Sequence, residues 1–221
     1  MTKARKSFPL VGIGIYSFAE AATYLGASSS QVRRWMNGRL WDSQLARLNV
    51  DGIGFKDLIE LRFVRALRAE GVSLAAVRSA FEIARQELST PYPFTSPSFR
   101  TEGKEIFLRA MDQIGDRSLL DSKQRRAAIQ RIVGPSIREG IEVDANGEAS
   151  RWYPLKRSKV VVLDPARGFG KPILSIYGVP TAALAAAVAA EGGDEKRVAR
   201  YFDVSLIGVR KAVQFETLFP A

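Results

Sequence analysis

Apolar residues recur at helical spacing from position 18 onward. Phe18, Ala21, Ala22 and Leu25 form one stripe. Ser17 stands at the N-cap position with Glu20 three residues later, a capping-box pair, and Gly26 supplies a stop. Ser28 then opens a second helix, with Gln31 as its box residue and Gly38 just past its end. Val32 and Met36, four apart, face inward toward Ala22 and Leu25, and Trp35 shares that edge. Two short helices separated by a glycine turn are the helix-turn-helix signature.

Residues 39–49 lack a helical period, and Val50-Asp51-Gly52-Ile53-Gly54 reads as a short hairpin or wing. The period returns over 55–70, where Leu58, Leu61, Phe63, Val64 and Leu67 point inward, and again over 74–88 after Ser73. The Pro-rich run from Pro91 to Pro97 breaks this pattern and marks a boundary. Short strands are expected over 98–101 and 105–110, and a basic helix over 122–139, kinked at Gly134-Pro135. Asn146-Gly147, between two apolar runs, predicts a hairpin turn. Residues 159–163 read as a strand, Gly168 to Ile173 as a glycine-rich turn into another strand, and 181–191, 194–202 and 205–218 as helices. The expected fold is therefore mainly α with short β elements. It divides into a winged helix-turn-helix domain (1–90), a mixed α/β connecting region (91–157) and a small trihelical C-terminal domain with a β-hairpin (158–221).

Composition narrows the chemistry. The chain has 221 residues and contains no cysteine and no histidine, which removes disulfides, thiolate metal sites and the side chain most used as a general base. The most apolar window is alanine-rich and too short for a membrane span, and no secretory signal pattern stands at the start, so a cytoplasmic protein is expected. The formal net charge is +10, which favours an acidic partner such as nucleic acid. Residues 1–41 hold six Lys/Arg against one acid, and 156–221 hold ten against six, whereas 91–155 are nearly neutral.

The helix opened by Ser28 is the candidate DNA reader. Ser28, Ser29, Ser30, Gln31, Arg33, Arg34 and Asn37 lie on or around its outer face, with Arg39 just beyond. Arginine suits guanine edges or phosphate, Asn and Gln suit adenine, and serine hydroxyls with a helix N-terminus suit phosphate oxygens. Lys3, Arg5 and Lys6 provide a candidate arm. Gly168-Phe-Gly-Lys-Pro172 departs from a nucleotide-binding P-loop, because Pro172 follows the lysine and a strand rather than a helix is expected next. Arg210 and Lys211, on a second helix pair near the C-terminus, fit either a DNA contact or a protein interface, and the small size of that unit favours an interface. The acidic residues are scattered. No catalytic, cofactor or metal site is expected, and the protein is not read as an enzyme.

Two stretches resemble known families. Residues 16–88, from Tyr16-Ser-Phe-Ala-Glu-Ala-Ala through the wing to Val72-Ser-Leu74, resemble a MerR-like winged helix-turn-helix. Residues 159–216 resemble a small prokaryotic domain of unknown function that accompanies VapC (PIN-domain) ribonuclease toxins. The matching residues are Val-Val-Leu-Asp164-Pro165, Gly170-Lys171-Pro172-Ile173, Val179-Pro180, Val198-Ala-x-Tyr-Phe-Asp-Val204 and Val209-x-x-Ala212-x-x-Phe215-Glu216. At Ser175-Ile-Tyr-Gly-Val this chain departs from the Gly-Thr-Arg that the family usually shows. The two domains in this order resemble long VapB-like antitoxins. That resemblance implies a homodimeric repressor that binds double-stranded DNA, autoregulates its operon and neutralises a VapC-like toxin. A stand-alone MerR-like regulator sensing a small ligand is the alternative, and a nucleic-acid-processing enzyme using scattered carboxylates with magnesium is a third reading.

Overall fold

The computed structural model describes residues 12–37, 40–46, 48, 50–113 and 139–220. Helix α1 (Phe18–Leu25) starts on the expected capping box: Ser17 Oγ accepts from the Glu20 N–H, and Glu20 returns a bond to the Ser17 N–H. Gly26 closes it at φ 60°, a left-handed conformation that costs glycine little. Helix α2 (Ser29–Asn37) follows at once, burying Val32, Trp35 and Met36. Helices α3 (Phe55–Ala69) and α4 (Leu74–Glu87) complete the N-terminal helical part.

The hairpin expected over 50–54 does not form. Ile53 makes a single antiparallel bridge to Tyr16, exchanging N–H···O bonds of 3.0 and 2.9 Å. The loop is pinned to α3 instead. Buried Asp57 accepts from Trp41 Nε1 (2.8 Å), Ser43 Oγ (2.7 Å), the Gln44 N–H (3.0 Å) and the Gly54 N–H (2.9 Å). Burial raises the pKa of Asp57, and these bonds oppose the rise. Trp41 stacks on Phe81 of α4 at 4.9 Å.

The strands expected over 98–101 and 105–110 are also corrected. This segment is one helix, α5 (Phe99–Gln113), packed on α4. Its buried residues, Phe99, Ile106, Phe107, Ala110 and Met111, share one helical face. A short 3₁₀ turn, Pro93–Thr95, inserts Phe94 between Phe63, Phe81, Phe99 and Phe107. The basic helix expected over 122–139 falls on residues outside the described ones, apart from its last.

The remaining β structure is a four-stranded antiparallel meander in the order β1 (Ile141–Val143), β2 (Ala149–Trp152), β3 (Val161–Leu163), β4 (Pro172–Leu174). The Asn146-Gly147 turn joins β1 and β2 as expected, with Gly147 at φ 77°. Helices α6 (Thr181–Ala190), α7 (Glu195–Tyr201) and α8 (Leu206–Leu218) pack on one another and on β3 and β4. The chain is thus mixed α and β, with helix predominating. One apolar cluster extends from Tyr16 to Phe215.

Candidate nucleic-acid interface

The start of α2 is held by its own first turn. The Gln31 N–H donates to Ser28 Oγ at 3.2 Å, and the Ser28 N–H donates to Gln31 Oε1 at 2.9 Å. Two of the predicted contact residues are therefore engaged as a capping box. Ser30 Oγ lies 3.0 Å from Ser28 Oγ, and Ser29, Ser30 and Asn37 are exposed. Val32, Trp35 and Met36 fasten the opposite face to the core, so the helix presents its polar residues outward.

Arg33 and Arg34 differ in their surroundings. The Arg33 guanidinium sits 4.3 Å from the Phe18 ring centroid and reaches Asp51 at 3.4 and 3.5 Å. The pair is open to solvent, with side chains 49% and 77% exposed. Exposed ion pairs of this kind contribute about 0–1 kcal/mol, so Arg33 is released at little cost. Arg34 makes no ion pair among the described residues and faces a cleft that it shares with Arg65 and Arg68 of α3. Arg39 lies outside the described residues, as do Lys3, Arg5 and Lys6.

Helix α1 is clasped from the far side by the C-terminal part. Tyr16 Oη donates to the Gly170 carbonyl at 2.8 Å, and the Ile15 N–H donates to the Phe169 carbonyl at 3.0 Å. Glu20 pairs with Lys171, and this contact with the Ser17 bonds holds its carboxyl below the usual range against the opposing effect of burial. Tyr24 packs against Trp152, Phe215 and Phe219 at ring distances of 6.5, 6.0 and 6.0 Å. The glycine-rich turn leads into β4 rather than a helix, and its lysine is spent on Glu20, so it builds no phosphate cradle of the P-loop kind.

In the C-terminal part, Arg210 is paired with Glu195 at 2.8 Å and Lys211 bonds to Gln214. Around them Tyr201, Phe202 and Ile207 are exposed at the α7–α8 turn, and Ile176 and Tyr177 at the loop after β4. Among the described residues no group of three His, Cys, Asp or Glu is arranged to hold a metal ion. No described helix is long and apolar enough to cross a membrane.

Sequence reasoning found α2 and its outward residues from the cap, the period and the glycine. It missed Arg65 and Arg68, because nothing in a linear pattern brings them beside Arg34.

No family model matches the chain. It is 23% identical to a Mycobacterium tuberculosis protein named "Putative antitoxin VapB45", over 77% of this chain and 80% of that protein. Its fold is that of the crystal structure of Rv2018 from Mycobacterium tuberculosis: the TM-score is 0.70 at 21% identity, covering 92% of this chain and 99% of the other.

Proposed function

We propose that this chain is a DNA-binding, antitoxin-like transcriptional repressor that neutralises a VapC-type (PIN-domain) ribonuclease and autoregulates its operon. The observation that carries this reading is α2, capped at Ser28–Gln31, anchored by Val32, Trp35 and Met36, and exposing Arg33, Arg34 and Asn37. Similarity to a protein named as an antitoxin supports the toxin-directed half. Residues 1–90 act as a winged helix-turn-helix, with the loop pinned by Asp57 serving as the wing. Ser29, Ser30, Arg33, Arg34, Asn37 and Arg39 face double-stranded DNA, with Ser28 and Gln31 at the helix entrance. Residues 91–157 connect, and 158–221 bind the toxin and a second copy of the chain. Tyr201, Phe202 and Ile207 supply apolar surface for such contacts. The protein acts in the cytoplasm and is not an enzyme.

Co-expression with the adjacent gene product, followed by pull-down and an operator gel shift, tests this. A stable complex with a PIN-type protein and a retarded operator are expected. The absence of both a complex and a shift would overturn the reading.

A second reading, a stand-alone regulator that senses a small ligand, draws on a cavity of about 580 Å³ between α3 and the sheet, lined in part by Gln44, Lys56, Glu142, Arg151 and Asp164. A small polar molecule copurifying in that cavity, with no toxin partner, would favour it.

A further inference from the structure

Arg34 of α2 and Arg65 and Arg68 of α3 line one open cleft of about 400 Å³, together with Gly26, Gln31 and Trp35. No carboxylate is among the described residues that line it. Elsewhere Arg109, Arg151, Arg167 and Arg210 each face a carboxylate within 3.0 Å. Here the contacts hold the guanidiniums without neutralising them. Arg65 Nε donates to the Gly26 carbonyl at 3.4 Å, Arg68 donates to the Val72 carbonyl at 2.5 Å, and Arg34 bonds to nothing among the described residues. Three like charges sharing one concavity repel one another, and an anion bound between them relieves that repulsion. Guanidinium forks match the geometry of phosphate oxygens.

We propose that this cleft seats a phosphate of the double-stranded DNA backbone, with Arg65 and Arg68 of α3 completing a contact that Arg34 begins. The proposal rests on the DNA-binding reading above and adds two residues of another helix to it. The seat carries no base information; it fixes how α2 sits on the duplex.

The test compares the full chain with its R65Q/R68Q and R65K/R68K variants, binding a 20-base-pair duplex of arbitrary sequence across a salt series. Each phosphate contact contributes about 0.9 to the slope of log affinity against log salt. The glutamine variant should lose roughly one unit of slope and about tenfold in affinity at low salt, while the lysine variant keeps the wild-type slope. A purely structural role would instead lower thermal stability in both variants and leave the slope unchanged, overturning the seat. Titration of the wild-type chain with inorganic phosphate alone separates the two sources of this chemistry. Arginine-dependent phosphate binding with an unchanged DNA slope would assign the cleft to free phosphate and overturn the proposal. Should the glutamine variant fail to fold, arginine-specific modification of the wild-type chain decides: slower modification of Arg65 and Arg68 in the presence of duplex supports the seat, and equal rates overturn it. A wild-type chain that binds no duplex at any salt removes the DNA reading and the seat together, whereas binding with an unchanged variant slope removes only the seat.

Discussion

Asp51 is the carboxylate that Arg33 meets in the free chain. Their pair is long and solvated, so its loss changes folding stability by less than about 0.5 kcal/mol. Asp51→Asn should therefore strengthen duplex binding, by freeing Arg33 and removing a repelling charge. Arg33→Ala should weaken operator binding by about 1–3 kcal/mol if it reads a base. Anisotropy titrations of both variants check this, and weaker binding by Asp51→Asn would mean that the carboxylate positions the arginine rather than restrains it. Gly170, by contrast, is a residue whose identity the fold dictates. Its φ is 81°, and an added Cβ would lie 2.5 Å from Tyr16 Oη and 3.0 Å from the Gly14 Cα. Gly170→Ala should cost more than about 2 kcal/mol in urea unfolding, from left-handed strain and displacement of the Tyr16 hydroxyl. A cost under about 0.5 kcal/mol would show that the turn moves freely away from Tyr16.

At the level of elements, Glu60 ties α3 to the Pro93–Thr95 turn. Its buried carboxyl accepts from the Phe94 N–H, the Thr95 N–H and the Thr95 hydroxyl, yet desolvation pushes its pKa up to about 8. The folded chain keeps a proton there that the unfolded chain has already released above its ordinary value of 4.5. Stability should therefore fall as pH rises from about 4.5 to about 8, by no more than about 1.4 kcal/mol per unit for this group, and level off above. Burial of Asp57 adds in the same direction. Glu60→Gln should lower stability at pH 5, because an amide N–H₂ meets backbone donors, but flatten the slope. An equally steep slope in the variant would place the titration elsewhere. Local patterns made most elements legible: the capping boxes at Ser17 and Ser28, the Asn146-Gly147 turn and the Gly26 stop all describe what forms. Helix α5 was misread because Gly103 interrupts its stripe. The structure shows why glycine stands there, since a Cβ would meet the Phe99 ring at 2.9 Å. The hairpin expected over 50–54 was misread for another reason. Its backbone partner is Tyr16, and its anchor is a carboxylate on the next helix; a scan along the chain sees neither. The candidate interface was half legible on the same ground: α2 is local, whereas the Arg65–Arg68 contribution is tertiary.

Across the whole molecule, α1 depends on residues far along the chain. Tyr24 rests on Phe215 and Phe219, and the Gly170 turn holds Tyr16. Phe215→Ala should cost about 3–5 kcal/mol and should also speed amide exchange in α1, although the two lie at opposite ends of the sequence. Faster exchange confined to α6–α8 would mean that α1 is held by the N-terminal helices alone. The same view bears on how two copies could meet. Strand β1 has three residues and a register shift between Glu142 and Val143, while β4 begins with a proline and bonds beyond its end to Val179. Among the described residues, neither edge of this sheet offers a second molecule a straight run of open amides to zip onto. Continuous ribbon growth from copy to copy along this sheet is therefore disfavoured, and side chains on the helices are where single substitutions would tune a contact between two copies.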